Sequence, residues 1–274
     1  MERLGLISNH LAGEAPYTKI LTEIYNGNVG IVLLNSPKDL NALSKTMRSE
    51  ICRAVRAYER NGNVKVILLA STVKSAFCAG ADIKEFENLS EEDMKVYDIF
   101  REISDTLENC TKPIIGAING VALGGGCEVA LKCDILVAAN NARFGLPELR
   151  LGLIPGIGGT QRLTRLVGRS LASKLIYTSE FLGAKDALSA GLVSDLFEPE
   201  ELLNKAKEIA VKVAEKSLTA LKVAKECIKA SENMTMTDGN RFERDVFTTL
   251  LDQDCKKEGV DAFIKKRKAD FSKM

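Results

Sequence analysis

The stretch AINGVALGGGCE, residues 117–128, holds the densest cluster of glycines in the chain. It follows an apolar run, 113–118, that is typical of a strand buried on both faces, and leads into a short helix predicted over 127–132. Glycines that run straight into a helix leave unpaired N–H groups at its positive end, which suits an anion. Glu128 stands in the first turn of that helix. By pattern alone, a packing turn with Glu128 as a surface residue that satisfies the helix dipole is an equally good interpretation.

Two other glycine-bearing turns lie on either side of this stretch in the sequence. The turn FCAGADI (77–83) follows the apolar strand VKVILLA (64–70), and the carboxyl ends of such strands are where α/β sheets bind ligands. The loop PELRLGLIPGIGGT (147–160) is rich in glycine and proline and carries Glu148. Together the three turns supply two carboxylates and two sets of N–H donors, which are the groups that acid–base chemistry beside an oxyanion requires.

Nucleotide binding by the common glycine-rich motifs is not indicated. A dinucleotide-binding fingerprint would need a glycine where Val129 stands, and the chain has no GxxxxGK[ST] phosphate loop. The glycines therefore point to another kind of ligand.

Strand-like and helix-like segments alternate through the first part of the chain, which predicts right-handed βαβ units and an α/β fold. The predicted strands are 18–25, 29–34, 64–70, 113–118 and 135–139, the first two joined as a hairpin by residues 26–28. The predicted helices are 40–60, about 90–109 from a capping box at its start, 127–132, and then 160–166, 170–178, 184–190, 199–232, 236–252 and 255–268.

Composition excludes several classes of protein. The 274 residues carry 38 Lys+Arg against 37 Asp+Glu, a net charge of +1, which argues against nucleic-acid binding through a broad basic face. The single histidine, His10, argues against a Ser-His-Asp triad and a multi-histidine metal site. Seven scattered cysteines without a CxxC pair indicate reduced thiols inside the cell. We expect no membrane span, and the mitochondrial matrix and the cytoplasm both remain open.

Three motifs, in order, resemble those of the crotonase, or enoyl-CoA hydratase/isomerase, family. They are AFCAGADIKEF (76–86), AINGVALGGGCE (117–128) and PELRLGLIPGIGGTQRL (147–163), and the resemblance covers roughly residues 20–274. It implies a crotonase-like ββα spiral core over 18–198, after a flexible N-terminal arm at 1–17. It also implies a helical C-terminal segment, 199–274, that assembles a homotrimer or a dimer of trimers.

The resemblance also implies an active site. The N–H groups of Ala81 and Gly125 match the family's oxyanion hole, which holds the thioester carbonyl as it becomes enolate-like. Glu128 and Glu148 match the two glutamates that the hydratases keep. Keeping both favours the addition of water to a 2-enoyl-CoA, giving a 3-hydroxyacyl-CoA, with Glu148 exchanging the proton at the α-carbon.

Further positions match the family's contacts with coenzyme A. Ser36 stands where the family usually has a basic residue, and Asp39 stands where it usually has a small one. A solvated helix face is an alternative interpretation of Lys266. The implied CoA and substrate contacts are Lys38, Asp39, Leu40, Ala81, Asp82, Ile83, Lys84 and Gly125, with Phe263 and Lys266 reaching CoA from a neighbouring subunit.

Three alternatives remain at this point. One is a branched-chain or methylglutaconyl-CoA-type hydratase, and another is an enoyl-CoA isomerase. The third is RNA binding, which some methylglutaconyl-CoA hydratase relatives show and which rests here only on the basic run 265–268. For the hydratase we expect no metal and no cofactor besides the acyl-CoA substrate itself.

Overall fold

The larger of two sheets forms the centre of the fold. The computed structural model describes residues 15–87, 89–93 and 98–272, so most of the predicted N-terminal arm lies outside the described residues. The sheet has six strands in the order β1-β2-β3-β5-β7-β10, and only the β1–β2 hairpin is antiparallel. Their bounds are β1 Ile20–Tyr25, β2 Val29–Leu34, β3 Val66–Ser71, β5 Ile114–Ile118, β7 Ile135–Ala139 and β10 Asp195–Phe197.

The strands of this sheet are apolar on both faces because helices cover both. Along β3, Ile67 and Leu69 belong to one buried cluster while Val66 and Leu68 belong to another, as the two-residue period of a strand requires. Helix α1 (Lys45–Arg60) supplies the first cluster with its buried apolar side chains. The predicted α/β fold is therefore confirmed.

The other face of the sheet is covered by a helix near the C-terminus, Leu202–Ala214. Its buried side chains are Leu202, Ala206, Ala210 and Ala214, one for each turn, and alanines let the helix approach the sheet closely. The packed core thus extends to residue 214, beyond the predicted boundary at 198. The division into a core and a C-terminal assembly segment stays a prediction.

A second sheet, absent from the sequence-based prediction, carries the glycine-rich turns. It has four strands in the order β4-β6-β8-β9. Each is only two or three residues long: β4 Ala76–Cys78, β6 Val121–Leu123, β8 Arg143–Gly145 and β9 Leu182–Gly183.

Several predicted helices have different bounds. The helix predicted over 40–60 begins at Lys45, because residues 37–39 form a 3-10 turn and Leu40 and Asn41 have φ angles of 51° and 60°. The capping box at Ser90 is present, with Asp93 N–H donating to Ser90 Oγ at 3.1 Å, but residues 94–97 lie outside the described residues. The next helix, α2, is Arg101–Glu108, and the short helix after the glycines, α3, is Gly125–Ala130.

The single helix predicted over 199–232 is wrong, because two helices meet at residues 215–217. Ser217 caps the second by accepting from Ala220 N–H at 3.4 Å. The helix predicted over 255–268 ends at Ile264, shortly before Lys266, whose φ is 52°. The remaining helices are α4 Gly159–Val167, α5 Arg169–Thr178, α6 Ala184–Ser189, α7 Leu202–Ala214, α8 Leu218–Ala230, α9 Met236–Leu250 and α10 Asp254–Ile264.

Across the described ranges, no helix is both long enough and apolar enough to cross a bilayer.

Candidate active site

Two glycine turns meet because β4 and β6 are parallel neighbours in the second sheet. A Cβ on Gly80, whose φ is +113°, would come 2.9 Å from the carbonyl oxygen of Leu123. A Cβ on Gly126 would come 2.4 Å from the carbonyl oxygen of Cys78. Both contacts are too close for a side chain, so glycine at each position allows the two backbones to approach.

This approach brings the backbone nitrogen of Ala81 next to Gly125. The Ala81 nitrogen lies 3.7 Å from the point where a Cβ on Gly125 would stand. The first backbone bond of α3 runs from Glu128 N–H to Gly124 O at 3.0 Å, so the Gly125 N–H precedes the helical ladder. Leu43 N–H fixes the neighbouring turn by donating to Gly80 O at 2.8 Å. Their position fits the predicted oxyanion hole, and their role stays a prediction.

Glu128 is held at the base of the site. It is only 2% exposed, and its Oε1 accepts hydrogen bonds from Ile157 N–H at 2.7 Å and Gly159 N–H at 2.6 Å. Burial raises the pKa of Glu128, while these N–H groups and the nearby Lys132 act against the rise. The interpretation of Glu128 as a surface residue is therefore wrong. The loop that carries its donors is the glycine-rich stretch after Pro155.

Glu148 has a different environment. It opens a 3-10 turn, Glu148–Leu151, directly after β8. Burial raises its pKa to about 7, and the charge of Glu128 adds to the rise against the effect of its own backbone N–H. Among the described residues its Oε2 is buried without a hydrogen-bond partner. A buried acceptor of this kind is suited to a water molecule or to a proton that is exchanged.

The predicted CoA contacts from residues 38–40 and 81–84 lie together on the surface. Ala79 N–H donates to Leu40 O at 3.0 Å, which joins the two segments. Leu40 and Ile83 are 41% and 52% exposed, which leaves two apolar side chains open to a ligand. Lys38 and Lys84 are exposed as well, and Asp82 accepts from Lys84 N–H at 3.2 Å.

Asp39 is neutralised by a residue that sequence reasoning missed. Lys19 Nζ lies 2.7 Å from Asp39 Oδ2 and 2.7 Å from Ser36 Oγ. Lys19 lowers the pKa of Asp39 against the opposing effect of burial. The two residues are 20 positions apart on different elements, so no local pattern joins them. Lys19 thus places a cation beside Ser36, at the position where the resemblance implied a basic residue.

Within a single chain, two predicted site residues, Phe263 and Lys266, lie apart from the others. Phe263 is 85% exposed at the end of α10, and Lys266 is exposed just beyond it. Within the described residues, no hydrogen bond or ion pair joins either side chain to the glutamates or the glycine turns. Their predicted contact with CoA involves a neighbouring subunit and stays a prediction.

The described part of the chain contains no group of three or more His, Cys, Asp or Glu residues arranged to hold a metal ion.

Comparisons with known proteins agree on one family. A family profile described as enoyl-CoA hydratase/isomerase matches residues 24–274. A probable mitochondrial enoyl-CoA hydratase of Dictyostelium discoideum is 46% identical over 88% of this chain and 86% of that protein. A short-chain-enoyl-CoA hydratase of Clostridium acetobutylicum is 40% identical over 89% and 94%. A crystal structure of an enoyl-CoA hydratase subunit from Geobacillus kaustophilus has a TM-score of 0.89 at 40% identity, covering 93% of this chain and 98% of that one.

The chain belongs to the enoyl-CoA hydratase/isomerase family. Its similarity to several proteins named enoyl-CoA hydratase, over most of its length, supports hydration of a 2-enoyl-CoA as its reaction.

Proposed function

We propose that this protein hydrates the double bond of a 2-enoyl-CoA with Glu128 and Glu148 as its catalytic pair. The observation that carries the proposal is the contrast between the two carboxylates beside the glycine turn. Glu128 is held by two backbone N–H groups, whereas Glu148 keeps one buried oxygen without a partner among the described residues. Two carboxylates in different environments can take different roles in one proton-transfer reaction.

The proposed reaction forms a C–O bond at the β-carbon and a C–H bond at the α-carbon. The water oxygen attacks the β-carbon while Glu128 accepts a proton from that water. The π electrons move toward the thioester, and the enolate-like oxygen accepts hydrogen bonds from the N–H groups of Ala81 and Gly125. Glu148 gives a proton to the α-carbon, and the two carboxylates then re-equilibrate their proton. No metal or redox cofactor takes part in this scheme.

We also propose that the protein assembles as a trimer or a dimer of trimers through its C-terminal helices. Helices α8 and α9 bury no residue within the described chain. Large apolar side chains lie exposed along the segment: Ile228, Met236, Phe247, Phe263 and Ile264. Covering them would be favourable in proportion to their apolar area, and it would bring Phe263 and Lys266 to a second subunit.

RNA binding receives little support from the same segment. Three of the four basic residues form ion pairs with acidic residues: Lys265 with Asp261 at 2.8 Å, Arg267 with Glu258 at 2.6 Å, and Lys268 with Glu215 at 2.6 Å. Within the described residues, the basic run therefore leaves only Lys266 without an ion pair. A single lysine is insufficient for the many phosphate contacts on which RNA affinity depends.

We place the protein inside the cell, in the mitochondrial matrix or the cytoplasm. All seven cysteines are free thiols, which supports a reducing compartment.

Separate Glu128→Gln and Glu148→Gln variants test the proposed reaction. Hydration rates are measured over a panel of 2-enoyl-CoA thioesters of increasing chain length, together with double-bond isomerisation of a 3-enoyl-CoA. Loss of hydration in both variants supports the proposal. Retained turnover in Glu128→Gln with loss in Glu148→Gln would instead indicate a single-base isomerase.

A further inference from the structure

A cluster of charged side chains is linked to Glu128 through Lys132. Glu108, at the end of α2, forms an ion pair with Arg162 on α4. Its carboxylate also lies 3.3 Å from Lys132 Nζ and 2.7 Å from Lys229 Nζ. One carboxylate thus holds three cations that come from three other parts of the fold. The Lys132 side chain is only 3% exposed, while that of Lys229 is 39% exposed, so the cluster runs from the interior at Lys132 to the surface at Lys229.

Two of these cations are connected to Glu128, one through its charge and one through the loop that binds Glu128. Lys132 follows Glu128 by one helical turn, and its charge acts to lower the pKa of Glu128. Arg162 lies across the loop that binds Glu128. Its backbone N–H donates to Gly158 O at 2.9 Å, and its Nη1 lies 3.0 Å from where a Cβ on Gly158 would stand. Gly158 separates Ile157 and Gly159, whose N–H groups bind the Glu128 carboxylate.

We propose that Glu108 is a positioning residue for Glu128. By holding Arg162 it fixes the loop that donates to Glu128, and by its charge it offsets the charge of Lys132, which acts on Glu128. Deletion of the Glu108 charge leaves Lys132 uncompensated near a buried carboxylate and releases Arg162 from its ion pair. The inference rests on the catalytic role proposed for Glu128.

The effect of this cluster on proton transfer has a definite sign. The charged and titratable groups that act on Glu128 or respond to its charge are Lys132, Glu148 across the site and the Cys127 thiol on its own helix. Without the Glu108 charge, Lys132 favours the ionised form of Glu128 more strongly, so its pKa falls. Without the Lys132 charge, the ionised form loses support and its pKa rises. Because the two carboxylates titrate together, the shift belongs to the pair.

The test compares the pH dependence of hydration in Glu108→Gln and Lys132→Met. In the pH profile of kcat/KM, the acidic limb reports protonation of the carboxylate that must accept a proton from water. We expect this limb to move to lower pH in Glu108→Gln and to higher pH in Lys132→Met, each by about half a pH unit. A purely structural role for the cluster would not produce opposite shifts.

Asp134→Asn is the matched control. Asp134 also forms an ion pair with a lysine of α8, Lys225, whose Nζ lies at 2.8 Å. Among the described residues, no hydrogen bond or ion pair joins the Asp134 side chain to the loop that binds Glu128. We expect its pH profile to superimpose on that of the wild type. Unchanged profiles in both Glu108→Gln and Lys132→Met, in an enzyme that Glu128→Gln inactivates, would overturn the inference and leave the proposed function intact. If Glu108→Gln fails to fold, Lys132→Met decides the test. An acidic limb that moves to higher pH supports the inference, and one that stays in place or moves to lower pH overturns it.

Discussion

The carboxylate of Glu148 lies directly against the backbone of Gly124. A Cβ added to Gly124 would stand 3.2 Å from Glu148 Oε1, and the φ of Gly124 is +50°. The same turn therefore controls two things at once. It brings Gly125 next to the backbone nitrogen of Ala81, and it leaves room for the glutamate that we propose exchanges the α-proton.

The first prediction concerns Gly124→Ala. The new methyl group crowds Glu148 and strains the backbone, so we expect kcat for hydration to fall by about tenfold or more, because small displacements of reacting groups are costly. Gly191→Ala is the control. Gly191 also has a positive φ, +77°, but an added Cβ there meets nothing within 4 Å. Both variants should lose stability through strain, while only Gly124→Ala loses turnover; equal losses of kcat would contradict the crowding argument.

The second prediction concerns stability as a function of pH. Glu148 has a pKa of about 7 in the fold, above its usual value of 4.5. Folding therefore favours the protonated form of Glu148. The contribution of Glu148 to the stability of the fold is fully present below about pH 4.5 and is lost as the pH rises through 7. At pH 8, Glu148→Gln should therefore have a free energy of unfolding roughly 1–3 kcal/mol above that of the wild type. Its unfolding temperature should be higher as well.

At pH 5 that advantage should nearly disappear, since the wild-type Glu148 is then mostly protonated in the fold. Glu200→Gln changes an exposed glutamate and should leave the melting temperature unaltered at both pH values. A difference between wild type and Glu148→Gln that stays constant from pH 5 to pH 8 would show that burial does not raise this pKa.

The third prediction concerns the ion pair between Lys19 and Asp39. Lys19→Met leaves the Asp39 carboxylate unneutralised in the loop that is predicted to contact CoA. We expect KM for the enoyl-CoA to rise roughly two- to fivefold, the size of a partly exposed ion pair, with little change in kcat. Adding Asp39→Asn to that variant should restore KM. Lys174→Met, which breaks a surface pair between Lys174 on α5 and Glu180 just beyond that helix, should leave KM unchanged. A failure of Asp39→Asn to restore KM would refute the electrostatic explanation.

Five of the six strands of the first sheet could be predicted from the sequence because they are long enough to show their pattern, whereas β10, with three residues, was missed. The hairpin signal at residues 26–28 is confirmed, with Asn26 and Gly27 at positive φ between β1 and β2. The second sheet could not be predicted, since strands of two or three residues are too short to show a period. That sheet nevertheless brings the glycine turns together, so motif resemblance located the site where periodicity could not.

The predicted catalytic residues were marked by unusual local sequence, but their partners were not. Glu128 and Glu148 stand beside glycine-rich turns that sequence reasoning singled out. The binding of Glu128 by Ile157 and Gly159, and the cluster at Glu108, depend on pairings between residues 24 to 121 positions apart. Such pairings are set by tertiary packing and leave no local signal.

The fourth prediction concerns assembly. We expect light scattering to give a mass three or six times the 29.8 kDa of one chain. Phe263→Asp should weaken that assembly, because it places a charge on an apolar side chain that we propose is covered by another subunit. Tyr25→Asp, at an exposed aromatic residue on the edge strand β1, should leave the mass unchanged. A monomer at working concentration would refute the proposed trimer.

The last prediction concerns the two glutamates together. We expect Glu128→Gln and Glu148→Gln each to lower kcat/KM for hydration by at least about 10²-fold, the lower end for a positioned acid–base group. Binding of a CoA thioester, measured by calorimetry, should change little, because we propose that backbone N–H groups hold its carbonyl. Because both glutamates serve one water molecule and one transition state, the double variant should lose much less than the product of the single losses. If the losses instead multiply, the two carboxylates act independently, and a mechanism in which they share a single water molecule is excluded.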